Sequence, residues 1–177
     1  MITTELLKKI YPQIVKPERF VDDLNNCFEK YEINTPNRQA MFLAQCLHES
    51  GGFRYTKEIW GPTLWQIKYE GHVGLGNTKS GDGKNFLGRG LIQVTGRNNY
   101  TAFSHWIQDP LVLINPSLLE NKYAVASAVW FWTTNNLNRF ADANDLEGCT
   151  KRVNGPKMLG LHERKRYYLS ALQLLKE

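Results

Sequence analysis

Cysteine is scarce in this chain: Cys27, Cys46 and Cys149 are the only three among 177 residues. They are too few and too far apart for a disulfide framework, and no CxxC pair offers a zinc knuckle. A reducing compartment fits such usage, with Cys27 and Cys46 as small buried hydrophobes inside helical patterns. Long apolar runs are missing as well. The longest, around "AVASAVWFW", falls well short of the roughly 20 residues that span a bilayer. The start, "MITTELLKKIYPQ", has no basic segment followed by an apolar stretch, so it does not read as a secretory signal. The product is therefore expected to be soluble and to stay in the cytoplasm unless something else releases it.

Several chemical signatures are absent too. His48-Glu49 begins like the HExxH zinc helix, but Gly52 stands where the second histidine belongs. His72 and His105 could supply ligands only from elsewhere in the chain, so no metal is expected. Gly83-Lys84 is followed by Asn85, and Thr78 replaces the first glycine of a phosphate-binding loop. No GxSxG elbow is present. Cys46 and His48 are two residues apart and do not face each other on a helix, which argues against a thiolate pair. No cofactor is implied.

What is there is an ordinary globular composition, 42% apolar and 22% charged, in a length typical of one domain. A single catalytic domain over residues 1–177, with two lobes around a cleft, is the expected organisation, and a monomer the default. From Thr150 onward seven basic residues stand against two acids, a surplus of +5 that equals the net charge of the whole chain. Such a tail favours an anionic polymer or an anionic envelope surface, or is simply a solvated helix face.

Helical periodicity dominates the pattern. Phe20, Val21, Leu24, Cys27, Phe28 and Tyr31 form one stripe of an amphipathic helix beginning near Pro17. "INTPNRQAMFLAQCLHES" predicts a second helix with Thr35 as N-cap, Pro36 in its first turn and Gly51-Gly52 as its stop. It is apolar nearly all round and should be central. "NNYTAFSHWI", a start at Asn115-Pro116, the apolar "NKYAVASAVWFWTT" and the amphipathic "LHERKRYYLSALQLLKE" predict further helices. Strand patterns are scarce. "GHVGLGNTKSGDGKNFLGRG" carries seven glycines in twenty residues and reads as a long loop or weak hairpin, of the kind that is usually functional.

Glu49 ends the apolar run of the second helix. The negative end of the helix dipole and its apolar neighbours disfavour a charged carboxylate there, a setting suited to a general acid. Glu58 follows nine positions later, beyond the glycine break. Two carboxyls flanking a cleft are the machinery of glycoside hydrolysis, about 5 to 5.5 Å apart for retention and about 6.5 to 9.5 Å for inversion. Glu70 is a rival for the second role. Trp130 and Trp132 sit in an apolar helix and read as core, whereas Trp60, just past Glu58, is the better candidate for a cleft wall.

"HESGG", "FLGRGLIQVTGRNNY", "RVNG" and "ERKRYY" together resemble the family 19 glycoside hydrolases, which comprise plant-type chitinases and a group of bacteriophage endolysins. The resemblance covers roughly Met41 to Tyr168. It implies a mainly α, lysozyme-like two-lobed fold with a substrate cleft, and it implies roles for particular residues. Glu49 would protonate the glycosidic oxygen, Glu58 would activate water on the opposite face with inversion, and Thr95 would help hold that water. Gln93 and Asn99 match residues lining the cleft, Asn154 a late asparagine, and His48 and Trp60 join them as substrate-binding candidates. Arg164 matches an arginine that organises the acidic centre, and a cation beside Glu58 would keep it ionised while Glu49 holds its proton. Overall length and the basic tail look like the endolysin branch, made in a bacterial host cytoplasm. The Glu49 to Glu58 interval is shorter than in plant chitinases, which favours a cleft for peptidoglycan glycan strands over one for chitin. Nucleic acid is not an expected partner. A peptidoglycan amidase and a non-catalytic wall-binding module are the rival classes.

Overall fold

The computed structural model describes residues 1–177. Eleven α-helices and three 3-10 turns account for its regular structure; the only strand-like pairings are isolated bridges from Arg89 to Lys57 and to Val94. The chain divides into two compact units, one made of Met1–Arg54 with Phe131–Glu177, the other of Tyr55–Trp130. No helix is long and apolar enough to cross a membrane.

The first unit is organised by α3 (Pro36–Glu49), on which the last helix, α11 (Leu161–Lys176), packs more extensively than any other pair of elements. The local signals at both ends of α3 explain its length. Thr35 is extended and its side chain accepts the Arg38 amide, Pro36 occupies the first turn, and Gly51 and Gly52 both adopt left-handed φ. A side chain at Gly52 would strike the Tyr11 ring at 2.5 Å, so only glycine turns the chain there. Every residue from Ala40 to Leu47 is fully buried. Phe42 meets Phe28 of α2 (Val21–Lys30) and Trp132 edge-on, at 5.3 Å in each case. The other elements of this unit are α1 (Thr4–Ile10), a 3-10 turn at Pro17–Arg19, α9 (Asn138–Asp142) and α10 (Leu146–Asn154). The stripe expected to start near Pro17 is thus a short turn followed by a true helix.

The second unit holds the glycine-rich segment. Its core gathers Phe86 against Tyr100, and Phe103 against Tyr123 and Trp130. Its elements are α4 (Leu64–Ile67), a turn at Val73–Leu75, α5 (Asp82–Asn85), α6 (Arg97–Ile107), α7 (Leu111–Ile114), a turn at Pro116–Glu120, and the start of α8 (Ala124–Thr134). No hairpin forms in the glycine-rich segment, and the loop is more ordered than its composition implies. Polar groups stitch it together: Asp82, almost wholly buried, takes a two-pronged contact from Arg97, with Nε to Oδ2 at 2.7 Å. Glu70 accepts the backbone amides of Gly81 and Gly83 at 2.7 and 2.8 Å. That occupation gives Glu70 a structural task.

Candidate active site

Glu49 is the last residue of α3, with a quarter of its side chain exposed. The apolar setting expected for it is replaced by an ion pair: Nη2 of Arg164 donates to Oε1 of Glu49. Arg164 is fully buried on α11, and its other donors go to Gln45 Oε1 and to the carbonyl of Leu159, the latter at 3.1 Å. Gln45 in turn donates to Thr150 Oγ1 at 3.0 Å. A buried polar string from α10 through α3 to α11 therefore fixes one oxygen of Glu49. Its second oxygen, Oε2, takes no hydrogen bond from the protein. A planar guanidinium suits this task, since its fork holds several acceptors at once.

This position overturns one expectation. Arg164 was expected beside Glu58 and instead holds Glu49, because α11 lies on α3 in the first unit. Asn154 supports the same arrangement one step removed: its side-chain oxygen accepts the Leu159 amide at 2.7 Å, fixing the turn whose carbonyl holds Arg164. His48 sits against Glu163, Nδ1 to Oε2 at 3.1 Å, and over Gly160, where an added Cβ would come within 1.9 Å of the ring. Burial and then the Arg164 charge hold the His48 imidazole below its ordinary value, so at pH 7 the Glu163 contact is a hydrogen bond from a neutral ring.

Glu58 lies in the second unit and is held by neutral donors. Gln66 Nε2 reaches Oε1 at 3.0 Å, the Tyr69 hydroxyl donates to the same oxygen at 3.2 Å, and the Gly88 amide donates to Oε2 at 3.0 Å. The Glu58 amide returns a bond to the Gly88 carbonyl at 2.8 Å. Gln66 is itself oriented by the start of α4. Its Oε1 accepts the amides of Gly61 and Thr63, so its NH2 must face Glu58 and the Ile59 carbonyl. Burial first, and the Glu58 charge second, push the Tyr69 phenol up, which keeps it a donor. Glu58 is thus oriented by three donors, none of them a cation.

The remaining candidates on this unit lie close by. Gln93 is exposed and its amide covers Gly88, where an added Cβ would meet Oε1 at 2.6 Å. Trp60 packs obliquely on Tyr69 with centroids 6.4 Å apart. Thr95 lines a recess of about 290 Å³ with Trp65, Lys68, Tyr69, His72 and Leu75. Asn99 donates to the Thr95 carbonyl at 2.9 Å. His48, Glu49, Asn154 and Arg164 thus belong to the first unit, and Glu58, Trp60, Gln93, Thr95 and Asn99 to the second.

Five supporting residues escaped sequence reasoning: Gln45, Thr150, Gln66, Tyr69 and Gly88. Two left a trace. Gln45 is a polar residue inside an otherwise apolar helix, and Thr63-x-x-Gln66 is a capping box. The cysteine alternative loses its nucleophile, because complete burial pushes the Cys46 thiol well above its ordinary value. No three His, Cys, Asp or Glu side chains come together as a metal site.

The family model "Chitinase class I" of glycoside hydrolase family 19 matches residues 29–148. A Haemophilus influenzae protein described as "Glycosyl hydrolase family 19 domain-containing protein" is 34% identical over 95% of this chain and 94% of its own length. The chain is a family 19 glycoside hydrolase. Endochitinase At2g43620 of Arabidopsis thaliana is 32% identical over 84% of the chain, which spans only about half (52%) of that longer protein. Among solved structures, chitinase C of Streptomyces griseus HUT6037 superposes with a TM-score of 0.75 at 21% identity, covering 99% of this chain and 76% of that one. A bacterial family 19 chitinase gives the same TM-score at 23% identity, covering 98% and 94%. These likenesses establish the mainly helical, lysozyme-like fold.

Proposed function

We propose that this family 19 hydrolase is an endolysin that cleaves the β-1,4 glycan strands of bacterial peptidoglycan with inversion. Glu49 delivers a proton from Oε2 to the departing glycosidic oxygen, and Glu58 takes a proton from the attacking water, as the two-carboxylate chemistry requires. The observation that carries this reading is the Glu49 carboxyl itself: one oxygen is locked by a buried guanidinium and the other is open. Thr95 helps hold the water in this reading, supported by its sharing a recess with Tyr69, the partner of Glu58. The basic C-terminal helix supports an anionic wall polymer as substrate, although Arg164 itself is spent inside the molecule. Chitin is the second reading, favoured by the relatives named endochitinases.

Mass spectrometry of products from purified peptidoglycan and from chitin oligomers tests the proposal. New reducing sugar ends from peptidoglycan are expected. New amino termini would show an amidase, and products from chitin alone would make it a chitinase.

A further inference from the structure

Beside the Glu58 partners lies an unassigned recess whose chemistry is not that of a plain hydrophobic pocket. Its walls are Trp65, Leu75 and the Tyr69 ring, its polar groups Lys68, His72 and Thr95. Tyr69 connects it to the reaction, since the same hydroxyl that holds Glu58 Oε1 belongs to a residue lining the recess. At about 290 Å³ it suits one sugar ring with part of a substituent.

Two features point to the ligand. The Trp65 indole is 68% exposed, on the helix α4 that the capping box fixes. A flat apolar face left in solvent beside a polar recess is what a pyranose ring covers. Lys68, one turn on, is exposed and makes no salt bridge; its ammonium rests 5.7 Å from the Trp65 ring centroid. That loose cation–π contact at an exposed site is easily exchanged for a carboxylate. The other polar groups of the recess are hydrogen-bonding groups: His72 Nδ1 accepts the Leu75 amide, and Thr95 offers a hydroxyl. Lys68 is the one lysine or arginine lining the recess, and no acid lines it.

We infer that this recess is a specificity subsite for a peptide-bearing sugar: Trp65 stacks on the pyranose ring and Lys68 takes a carboxylate of its peptide substituent. The inference rests on the peptidoglycan reading above and adds a reason for it, since chitin offers the ring without the carboxylate.

The test compares soluble peptidoglycan fragments with the same preparation after amidation of its peptide carboxylates. The parent enzyme should cut the free-carboxylate fragments with a kcat/KM about three- to tenfold higher, the difference lying in KM. Lys68→Met, which keeps an apolar stem, should abolish that preference, whereas Trp65→Ala should raise KM on both preparations by a similar factor. If the parent cuts both preparations equally, or Lys68→Met keeps the preference, the inference falls while the peptidoglycan reading stands. If the parent cuts neither preparation but cuts chitin oligomers, the substrate reading falls and takes the inference with it.

Discussion

Gln66 shows how much a single amide can decide. All four of its hydrogen-bonding positions are used: its oxygen caps α4 through Gly61 and Thr63, and its nitrogen serves Glu58 and Ile59. Gln66→Glu keeps the shape and the cap but turns a donor toward Glu58 into an acceptor, placing two carboxyls in contact. Like charges this close force them to share a proton. The variant should lose about 1–3 kcal/mol of stability in urea titrations at pH 7, the usual cost of leaving a part-buried acceptor unpaired. Its kcat/KM should fall more than that of Gln66→Met, which deletes the donor and the α4 cap but brings no second carboxyl against Glu58. The identities of Glu49 and Glu58 as candidates were legible in the sequence, as a carboxylate ending an apolar run and another just past a glycine break. Their partners were not. Arg164 and Glu49 are 115 positions apart, and Gly88 is 30 from Glu58; such pairings are fixed by packing, which no local pattern encodes.

At the scale of elements, legibility followed length and capping. Helix α3 announced itself through Thr35, Pro36 and the Gly51-Gly52 stop, and α11 through its amphipathic stripe. Helices α4, α5, α7 and α9, four or five residues each, are shorter than any window over which a 3.6-residue period can be seen. The glycine-rich segment is the long loop its composition suggested, but its turn at Val73–Leu75 and helix α5 were not legible, because its order comes from buried polar contacts and not from apolar spacing. The Asp82–Arg97 pair that ties it to α6 gives a pH test. Arg97 holds the Asp82 carboxyl below its ordinary value of 3.8, so folding favours the ionised form. The stability from this contact is complete above the unfolded-state value and is lost as pH falls through the lower folded value. Parent and Asp82→Asn should therefore differ in denaturation midpoint by a constant amount from pH 5 to 7, and the gap should shrink below about pH 4. A gap that widens on acidification would show that Asp82 does not stabilise the fold as an anion.

Across the whole molecule, the charge surplus of the tail and the mainly helical class were readable from composition and periodicity, but the sign of each local interaction was not. One of the seven tail cations, Arg164, is an internal strut and not part of a surface patch. The account as a whole depends on Glu49 as the proton donor. The most direct measurement is turnover of purified peptidoglycan by Glu49→Gln, read beside its thermal midpoint. Glutamine can still accept the Arg164 hydrogen bond through its carbonyl oxygen, so the variant should fold, with a midpoint below that of the parent because the buried guanidinium loses its counter-charge. Loss of the proton should cost about 10²-fold or more in kcat. A folded Glu49→Gln enzyme that releases reducing ends within tenfold of the parent rate would contradict the account.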